Sequence, residues 1–217
     1  MLLFIVACAA AFAAAAAIPP RTPVMTGAIA AAASLLLTWI FVRLDGARLD
    51  RITPRSVVRF AAGLAAGLIL SAAWAAIATG RPTPHPPPAS SAVIFILFAI
   101  REELAYHGYP LRRLNERLGY WPAQLAIAVL FALEHRISGW TWVTAAGGAF
   151  FGSLLFGAAA LSTDGLAVPI GMHAAWNIGQ SVLGPPAPTL RSTLSFALVC
   201  VLGVVAMKRY SLADGKE

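Results

Sequence analysis

The chain alternates between long apolar runs and short polar connections, and this pattern predicts membrane-spanning helices. A helix needs about 20 apolar residues to cross the hydrocarbon core of a bilayer. Eight stretches approach that length: residues 2–18, 24–42, 57–79, 91–109, 122–138, 141–161, 165–183 and 191–207. Because lipid cannot hydrogen-bond exposed backbone, these stretches should form helices and not open strands. The predicted fold class is therefore all-α, a polytopic membrane helix bundle with about eight transmembrane helices.

The composition supports this membrane assignment. Apolar residues make up 59% of the 217 residues and charged residues only 12%, whereas a typical soluble domain has about 25% charged residues. The net charge of +7 does not indicate nucleic-acid binding. Arg and Lys lie at the edges of the apolar runs, and no basic stripe with interleaved aromatic residues exists.

The distribution of basic residues predicts the orientation of the chain. Alternate connections carry eleven and four Lys or Arg residues, and the richer set should face the cytoplasm. We therefore expect both termini in the cytoplasm, with the chain in the inner (plasma) membrane of a bacterium. The first apolar stretch has no Lys or Arg before it, so we expect a retained helix and not a cleaved signal peptide.

Three of the predicted spans carry ionisable side chains, which are costly inside a membrane and usually functional. The polar residues are Arg101, Glu102, Glu103 and His107 on the fourth span, Glu134 and His135 on the fifth, and His173 and Asn177 on the seventh. Each has a simpler explanation, since paired charges can hold helices together and a single buried histidine is usually a packing residue. Their joint occurrence on three helices favours a common site.

Helical spacing assigns these residues to faces. His173 and Asn177 lie one turn apart on one face, and Glu103 and His107 share the same relation. The adjacent glutamates, Glu102 and Glu103, point about 100° apart. One glutamate can therefore face a central cavity while the other anchors its helix to a neighbour.

A carboxylate and two histidines in a wet cavity suit hydrolysis. A glutamate that is partly removed from bulk water is a better base, and it can take a proton from a water that attacks a carbonyl group. A neighbouring histidine can hold that water or protonate the leaving amine, and Asn177 can donate a hydrogen bond to the developing oxyanion. The cluster contains no Ser or Cys, so it implies no covalent nucleophile.

Three short motifs contain these polar residues: Glu102-Glu103-Leu-Ala-Tyr-His107-Gly108, Phe131-Ala-Leu-Glu-His135 and His173-Ala-Ala-Trp-Asn177. In this order they resemble the motifs of the CPBP family, which comprises the type II CAAX prenyl endopeptidases and related bacterial Abi proteins. The resemblance covers about residues 91–183. It implies a catalytic core there, with N-terminal helices in 1–80 and a last helix and cytoplasmic tail in 191–217, all in one membrane domain.

The resemblance implies a role for each matching polar residue. Glu102 corresponds to the general base that activates water. His135 and His173 correspond to its water-positioning and proton-handling partners, and Asn177 to the oxyanion donor.

Three further residues have supporting positions in the family pattern. Glu103 corresponds to a second, structural glutamate, and Phe131 to an aromatic residue that packs below the histidine of its motif. The family has Arg four residues after the second glutamate, whereas this chain has His107. A histidine there can pair with Glu103 only when it is protonated, so this departure indicates a divergent member of the family.

A zinc site is the alternative to a metal-free site. Glu102, His135 and His173 can form a two-histidine, one-glutamate zinc set with an open position for water. Glu103, which points to another face of its helix, would then have to act as the base. We therefore expect no metal and no other cofactor.

The predicted function is an intramembrane endopeptidase of the glutamic type. Its partners should be membrane lipid and a membrane-delivered peptide or a lipidated or C-terminal-tail protein, with no nucleic acid. Two alternatives remain open. The His107 departure favours a non-catalytic scaffold or immunity-type protein of the same fold, and intramembrane carboxylates and histidines also occur in proton-coupled transporters.

Overall fold

The computed structural model describes residues 2–17, 22–46, 53–79, 89–163, 165–184 and 189–213. This part of the chain folds into α-helices, with two π-helical turns and no β-strand. The helices are α1 (Leu2–Ala17), α2 (Pro23–Leu44), α3 (Pro54–Thr79), α4 (Ala89–Glu102), α5 (Tyr109–Leu118), α6 (Tyr120–Ile137), α7 (Trp142–Thr144), α8 (Phe150–Ser162), α9 (Ala167–Leu183) and α10 (Leu190–Ala213). The π-helical turns are Glu103–His107, after α4, and Ala145–Ala149, between α7 and α8. The predicted all-α membrane bundle is confirmed.

Among the described residues, helix covers most of each of the eight apolar stretches, but the predicted count of about eight membrane spans is too high by length and composition. Among the described helices, four are long and apolar enough to cross a membrane: Pro23–Leu44, Pro54–Ala78, Trp142–Ser162 and Leu190–Ser211. The difference has a physical cause. The α1, α4 and α9 helices are only 16, 14 and 17 residues long, and the 18-residue α6 carries charged and polar side chains near its end.

The outer surface of the bundle is apolar, as an integral membrane protein requires. Large apolar side chains such as Trp39, Val58, Ile69 and Leu202 are 47%, 70%, 68% and 59% exposed. Their number and spread over several helices make a surface that lipid solvates better than water does. The chain is therefore an integral membrane protein.

Close packing against α3 holds α9, the helix that carries two of the predicted site residues. A Cβ atom on Gly63 would lie 2.2 Å from the carbonyl oxygen of Val168, and one on Gly171 would lie 2.3 Å from that of Phe60. No side chain fits at these distances, so glycine is required for the backbones to approach this closely. The close approach fixes the position of α9 relative to α3.

A short helix that the apolar pattern did not predict follows the first π-helical turn. The α5 helix buries Leu111 and Leu114 and leaves its polar face outward. On that face, Arg113 forms an ion pair with Asp45, which lies just after α2. The hydroxyl of Tyr109 donates a 3.0 Å hydrogen bond to the same carboxylate. A search for long apolar stretches does not find this helix, because half of its residues are polar.

Candidate active site

Three helices bring the four predicted catalytic residues to one cavity of about 640 Å³. Glu102 comes from the end of α4, His135 from α6, and His173 and Asn177 from α9. Almost half of the remaining wall residues are aromatic: Trp74, Phe95, Phe98, Phe131, Trp140, Phe156, Trp176 and Phe196. A cavity that combines aromatic walls with a few polar side chains is typical of a ligand-binding or catalytic site.

The Glu102 carboxylate lies between the two histidines. Its Oε2 atom is 3.6 Å from Nε2 of His173 and 3.9 Å from Nε2 of His135. These distances are longer than a direct hydrogen bond, so neither nitrogen is hydrogen-bonded to the Glu102 carboxylate. Glu102 is 15% exposed, which leaves its oxygens open to the cavity.

Hydrogen bonds on the far side of each ring orient the two histidines. Nδ1 of His135 is 2.8 Å from the backbone oxygen of Phe131. Because a carbonyl oxygen can only accept, Nδ1 carries the proton there. Nδ1 of His173 is 2.8 Å from Oε1 of Glu103, which accepts in the same way when it is ionised. Both histidines therefore turn Nε2 toward Glu102, an arrangement that fixes tautomer and orientation.

Aromatic rings fix the planes of these imidazoles. Phe156 stacks on His173 with ring centroids 4.4 Å apart and an angle of 14° between the planes. Phe131 lies 4.3 Å from the His135 ring, and Trp140 packs on the same ring edge-to-face at 4.7 Å. The predicted packing of Phe131 against His135 is thus present in the structure.

Glu103 lies in a dry cluster behind the cavity wall. Glu103 and His107 are both 0% exposed. Oε2 of Glu103 is 2.8 Å from Nδ1 of His107, and Nε2 of His107 is 2.8 Å from the hydroxyl of Ser153. His107 therefore occupies the place beside the glutamate that the family motif gives to Arg. With one oxygen facing His173 and the other facing His107, Glu103 joins the π-helical turn after α4 to α9.

A π-helical turn begins at Glu103, the second of the two neighbouring glutamates. The N–H of Gly108 donates a 2.8 Å hydrogen bond to the backbone oxygen of Glu103, five residues earlier. The second π-helical turn, Ala145–Ala149, contributes Gly147, Gly148 and Ala149 to the cavity wall. Such turns are rare and concentrate at functional sites. The apolar pattern predicted neither of them.

A second charged cluster that the sequence did not reveal lies beside Glu102. Arg101 is 2% exposed and forms an ion pair with Glu134 of α6, and the hydroxyl of Tyr106 donates to the same carboxylate. Nη1 of Arg101 lies 3.7 Å from Oε1 of Glu102, and its guanidinium stands 4.5 Å over the Phe12 ring. The sequence marked Arg101 and Glu134 as unusual charges, but it did not reveal that they form a pair.

The alternative to a metal-free site is a zinc site at Glu102, His135 and His173. Within the described ranges, no group of three or more His, Cys, Asp or Glu residues is placed to hold a metal ion. That includes Glu102, His135 and His173, the set that the sequence offered. The metal-free site therefore stays a prediction.

Comparison with known families adds independent support for the resemblance. Residues 84–179 match the family model described as type II CAAX prenyl endopeptidase, Rce1-like, and this segment contains all three motifs. No curated protein matches the chain. The match confirms the resemblance to the CPBP family. At family level it supports an intramembrane endopeptidase of the CAAX-protease type, and it implies a membrane-associated peptide or a prenylated protein as substrate.

Proposed function

From this family match we propose that the chain is an intramembrane endopeptidase in which Glu102 activates the attacking water. The observation that carries the proposal is the geometry around one carboxylate. Glu102 opens to the cavity, and Nε2 atoms of His135 and His173 stand 3.9 Å and 3.6 Å from its Oε2. The contacts of the two Nδ1 atoms, with Phe131 and Glu103, orient both rings. Three groups that can accept or donate a proton therefore meet at Glu102, with both Nε2 atoms within 4 Å of its carboxylate.

The first step is attack of water on the carbonyl carbon of the scissile peptide bond. Glu102 takes one proton as the water oxygen forms the new bond to carbon, and the carbonyl oxygen becomes an oxyanion. Asn177 lines the same cavity, where its amide N–H can donate to that oxyanion. Preorganised donors of this kind typically contribute roughly 10²–10³-fold in rate.

The second step is departure of the amine. The carbon–nitrogen bond breaks, the oxyanion reverts to a carbonyl, and the amine nitrogen receives the proton that Glu102 took, directly or through Nε2 of His173. The Glu103 carboxylate accepts from Nδ1 of His173. It therefore stabilises the imidazolium form of His173 while that ring holds the proton, as a buried carboxylate does for the histidine of a catalytic triad.

Peptide cleavage by purified protein tests the proposal. We expect Glu102→Gln, His173→Gln and Asn177→Ala each to lower the rate on a quenched-fluorescent peptide pool, with Glu102→Gln the slowest. Glu116→Gln makes the same chemical change at a carboxylate that is 57% exposed, outside the cavity, and should cleave at the original rate. Equal rates for Glu102→Gln and Glu116→Gln would reject the proposal and favour a non-catalytic scaffold.

Chelation tests the metal-free part of the proposal separately. Activity should survive dialysis against EDTA and o-phenanthroline, because Glu102 itself acts as the base. Loss of activity that zinc restores would instead support a site in which Glu102, His135 and His173 are ligands.

A further inference from the structure

Contacts between helices show which helix ends lie together on one side of the bundle. Asp45, just after α2, pairs with Arg113 of α5, and α5 leads directly into α6. Near the end of α10, Lys208 stands 4.5 Å over the ring of Tyr120 at the start of α6. The ends of α2 and α10 and the start of α6 therefore share one side, with α5 lying across it. We call this side the basic end.

The opposite side holds the end of α3, the start of α10 and the end of α6. Nε1 of Trp74, near the end of α3, donates a 2.9 Å hydrogen bond to the backbone oxygen of Ser192 near the start of α10. Arg191 donates to the backbone oxygen of Ile77 at 3.2 Å. Trp140 follows α6, packs on His135 and is 45% exposed. We call this side the mouth end.

The cavity belongs to the mouth end. Its wall takes the last part of α3 at Trp74, the early part of α10 at Ser192 and Thr193, and the late part of α9 at Ser181. The exposed Trp140 in the connection after α6 also lines it. The cavity that contains Glu102 therefore reaches the surface on the side away from the basic end.

Basic residues are strongly unequal between the two ends. Among the described residues, the basic end has eight: Arg43, Arg55, Arg59, Arg112, Arg113, Arg117, Lys208 and Arg209. The mouth end has two, Arg136 and Arg191. Lys and Arg in short connections stay on the cytoplasmic side of a membrane protein. The charge distribution therefore places the basic end in the cytoplasm and the mouth end on the opposite side.

We propose that the substrate enters the Glu102 cavity from the side of the membrane opposite the cytoplasm. This inference rests on the proposed function for the chemistry, but its geometry comes from the helix contacts and charges alone. The substrate class is then an exported polypeptide, or the extracytoplasmic flank of a membrane protein, cut where it meets the membrane. A tail that stays in the cytoplasm, lipidated or not, would meet the basic end and not the cavity.

The lining of the cavity near its mouth suits such a substrate. Besides aromatic rings it offers uncharged polar side chains, Thr144, Gln180, Ser181 and Thr193. These groups can hydrogen-bond an extended peptide backbone, while the aromatic rings accommodate apolar side chains. The wall fits an uncharged or apolar stretch of peptide better than a highly charged one, because buried charges need partners.

Cysteine labelling in intact cells tests the orientation without any need for activity. The native Cys8 and Cys200 are both 1% exposed and should not react. Ser138→Cys places a thiol on the exposed connection at the mouth end, and Leu118→Cys places one at the exposed end of α5. A membrane-impermeant maleimide should label Ser138→Cys in intact spheroplasts and label Leu118→Cys only after permeabilisation. The reverse pattern would overturn the proposal.

Cleavage in oriented vesicles tests the entry side of the substrate. An impermeant quenched-fluorescent peptide pool added to right-side-out vesicles should be cut at least about tenfold faster than in inside-out vesicles, with both rates normalised to the amount of protein. Faster cleavage in inside-out vesicles would overturn the proposal. If Glu102→Gln cleaves as fast as the unchanged protein in detergent, the proposed function fails, but the labelling result still decides the orientation.

Discussion

Two adjacent glutamates at the end of α4 occupy opposite environments. Glu102 is 15% exposed, faces the cavity and stands 3.6 Å or more from each neighbouring histidine. Glu103 is 0% exposed, and its two oxygens lie 2.8 Å from His173 and 2.8 Å from His107. Two identical side chains in adjacent positions thus differ in accessibility: Glu102 can reach a molecule in the cavity, whereas Glu103 is enclosed between two histidines.

The difference between the two glutamates arises from the backbone as well as from the side chains. Glu102 is the last residue of α4, whereas Glu103 begins a π-helical turn that is buried along its whole length. The helical period alone separates the two side chains by about 100°. The π-helical turn then places Glu103 and His107 together in the dry cluster, and Ser153 of α8 completes it. One interrupted helix therefore supplies Glu102 to the cavity and Glu103 to the cluster.

Removing Glu103 should have the largest effect on stability. Glu103→Leu keeps a similar volume but leaves His107 and His173 without their buried partner, and breaking such a pair typically costs about 3–5 kcal/mol. We expect a large drop in the unfolding midpoint in detergent, with loss of activity because His173 loses its orientation. Glu102→Leu, which changes the neighbouring carboxylate, should lower the midpoint far less. Equal midpoints for the two variants would show that Glu103 stabilises the fold no more than Glu102 does.

Removing Arg101 should have an intermediate effect. Arg101→Leu leaves Tyr106 as the hydrogen-bond partner of Glu134. We expect the free energy of unfolding to fall by about 2–3 kcal/mol, because the Glu134 carboxylate loses the positive charge that stabilises it. Glu134 is 14% exposed, so water can replace part of the lost interaction. The double variant Arg101→Leu/Glu134→Gln should regain part of the stability in a double-mutant cycle. Strictly additive losses would show that the pair does not hold α4 to α6.

Ser153 is the hydrogen-bond partner of His107 in the dry cluster. Ser153→Ala removes the partner of Nε2 of His107 and should cost about 1–2 kcal/mol of unfolding free energy, while the peptide cleavage rate changes by no more than a few fold. Ser138→Ala, an exposed change on the connection after α6, is the matched control and should leave stability as it is. A large loss of activity in Ser153→Ala would mean that the cluster takes part in the chemistry.

The smallest effect concerns a third carboxylate, outside the membrane. Hydrogen bonds from Arg113 and Tyr109 lower the pKa of Asp45 below its ordinary value of 3.8. A lowered pKa stabilises the folded state above that ordinary value, and the contribution disappears as the pH falls through the lowered pKa. The difference in unfolding midpoint between the unchanged protein and Asp45→Asn should be small near neutral pH and should vanish in strong acid. A difference that grows in acid would contradict this pairing.

Much of the bundle and the set of cavity residues could be predicted from the sequence. Apolar runs predict helices because a helix satisfies the hydrogen bonds of its own backbone in lipid. Polar residues within those runs predict a site because burying them in a membrane costs free energy. The contact of His173 with Glu103 could not be predicted, because it depends on the π-helical turn and on the approach of α9 to α3 through Gly63 and Gly171. The pairing of Arg101 with Glu134 depends in the same way on which helices become neighbours.

The short helix α5 and the number of spans escaped prediction for a related reason. A search for long apolar stretches overlooks a helix whose polar face carries three arginines, and it counts any apolar stretch as a span. The roles of individual residues in catalysis stay predictions that only activity can decide. Glu102 is the residue on which most of them depend.

The most direct test measures rate and stability together for Glu102→Gln. If this carboxylate activates water, kcat for peptide cleavage should fall by roughly 10²–10⁴-fold, the usual contribution of a general base. The unfolding midpoint should stay close to that of the unchanged protein, because Glu102 makes no direct hydrogen bond to either histidine. A variant that keeps its rate, or that loses it only by unfolding, would contradict the account.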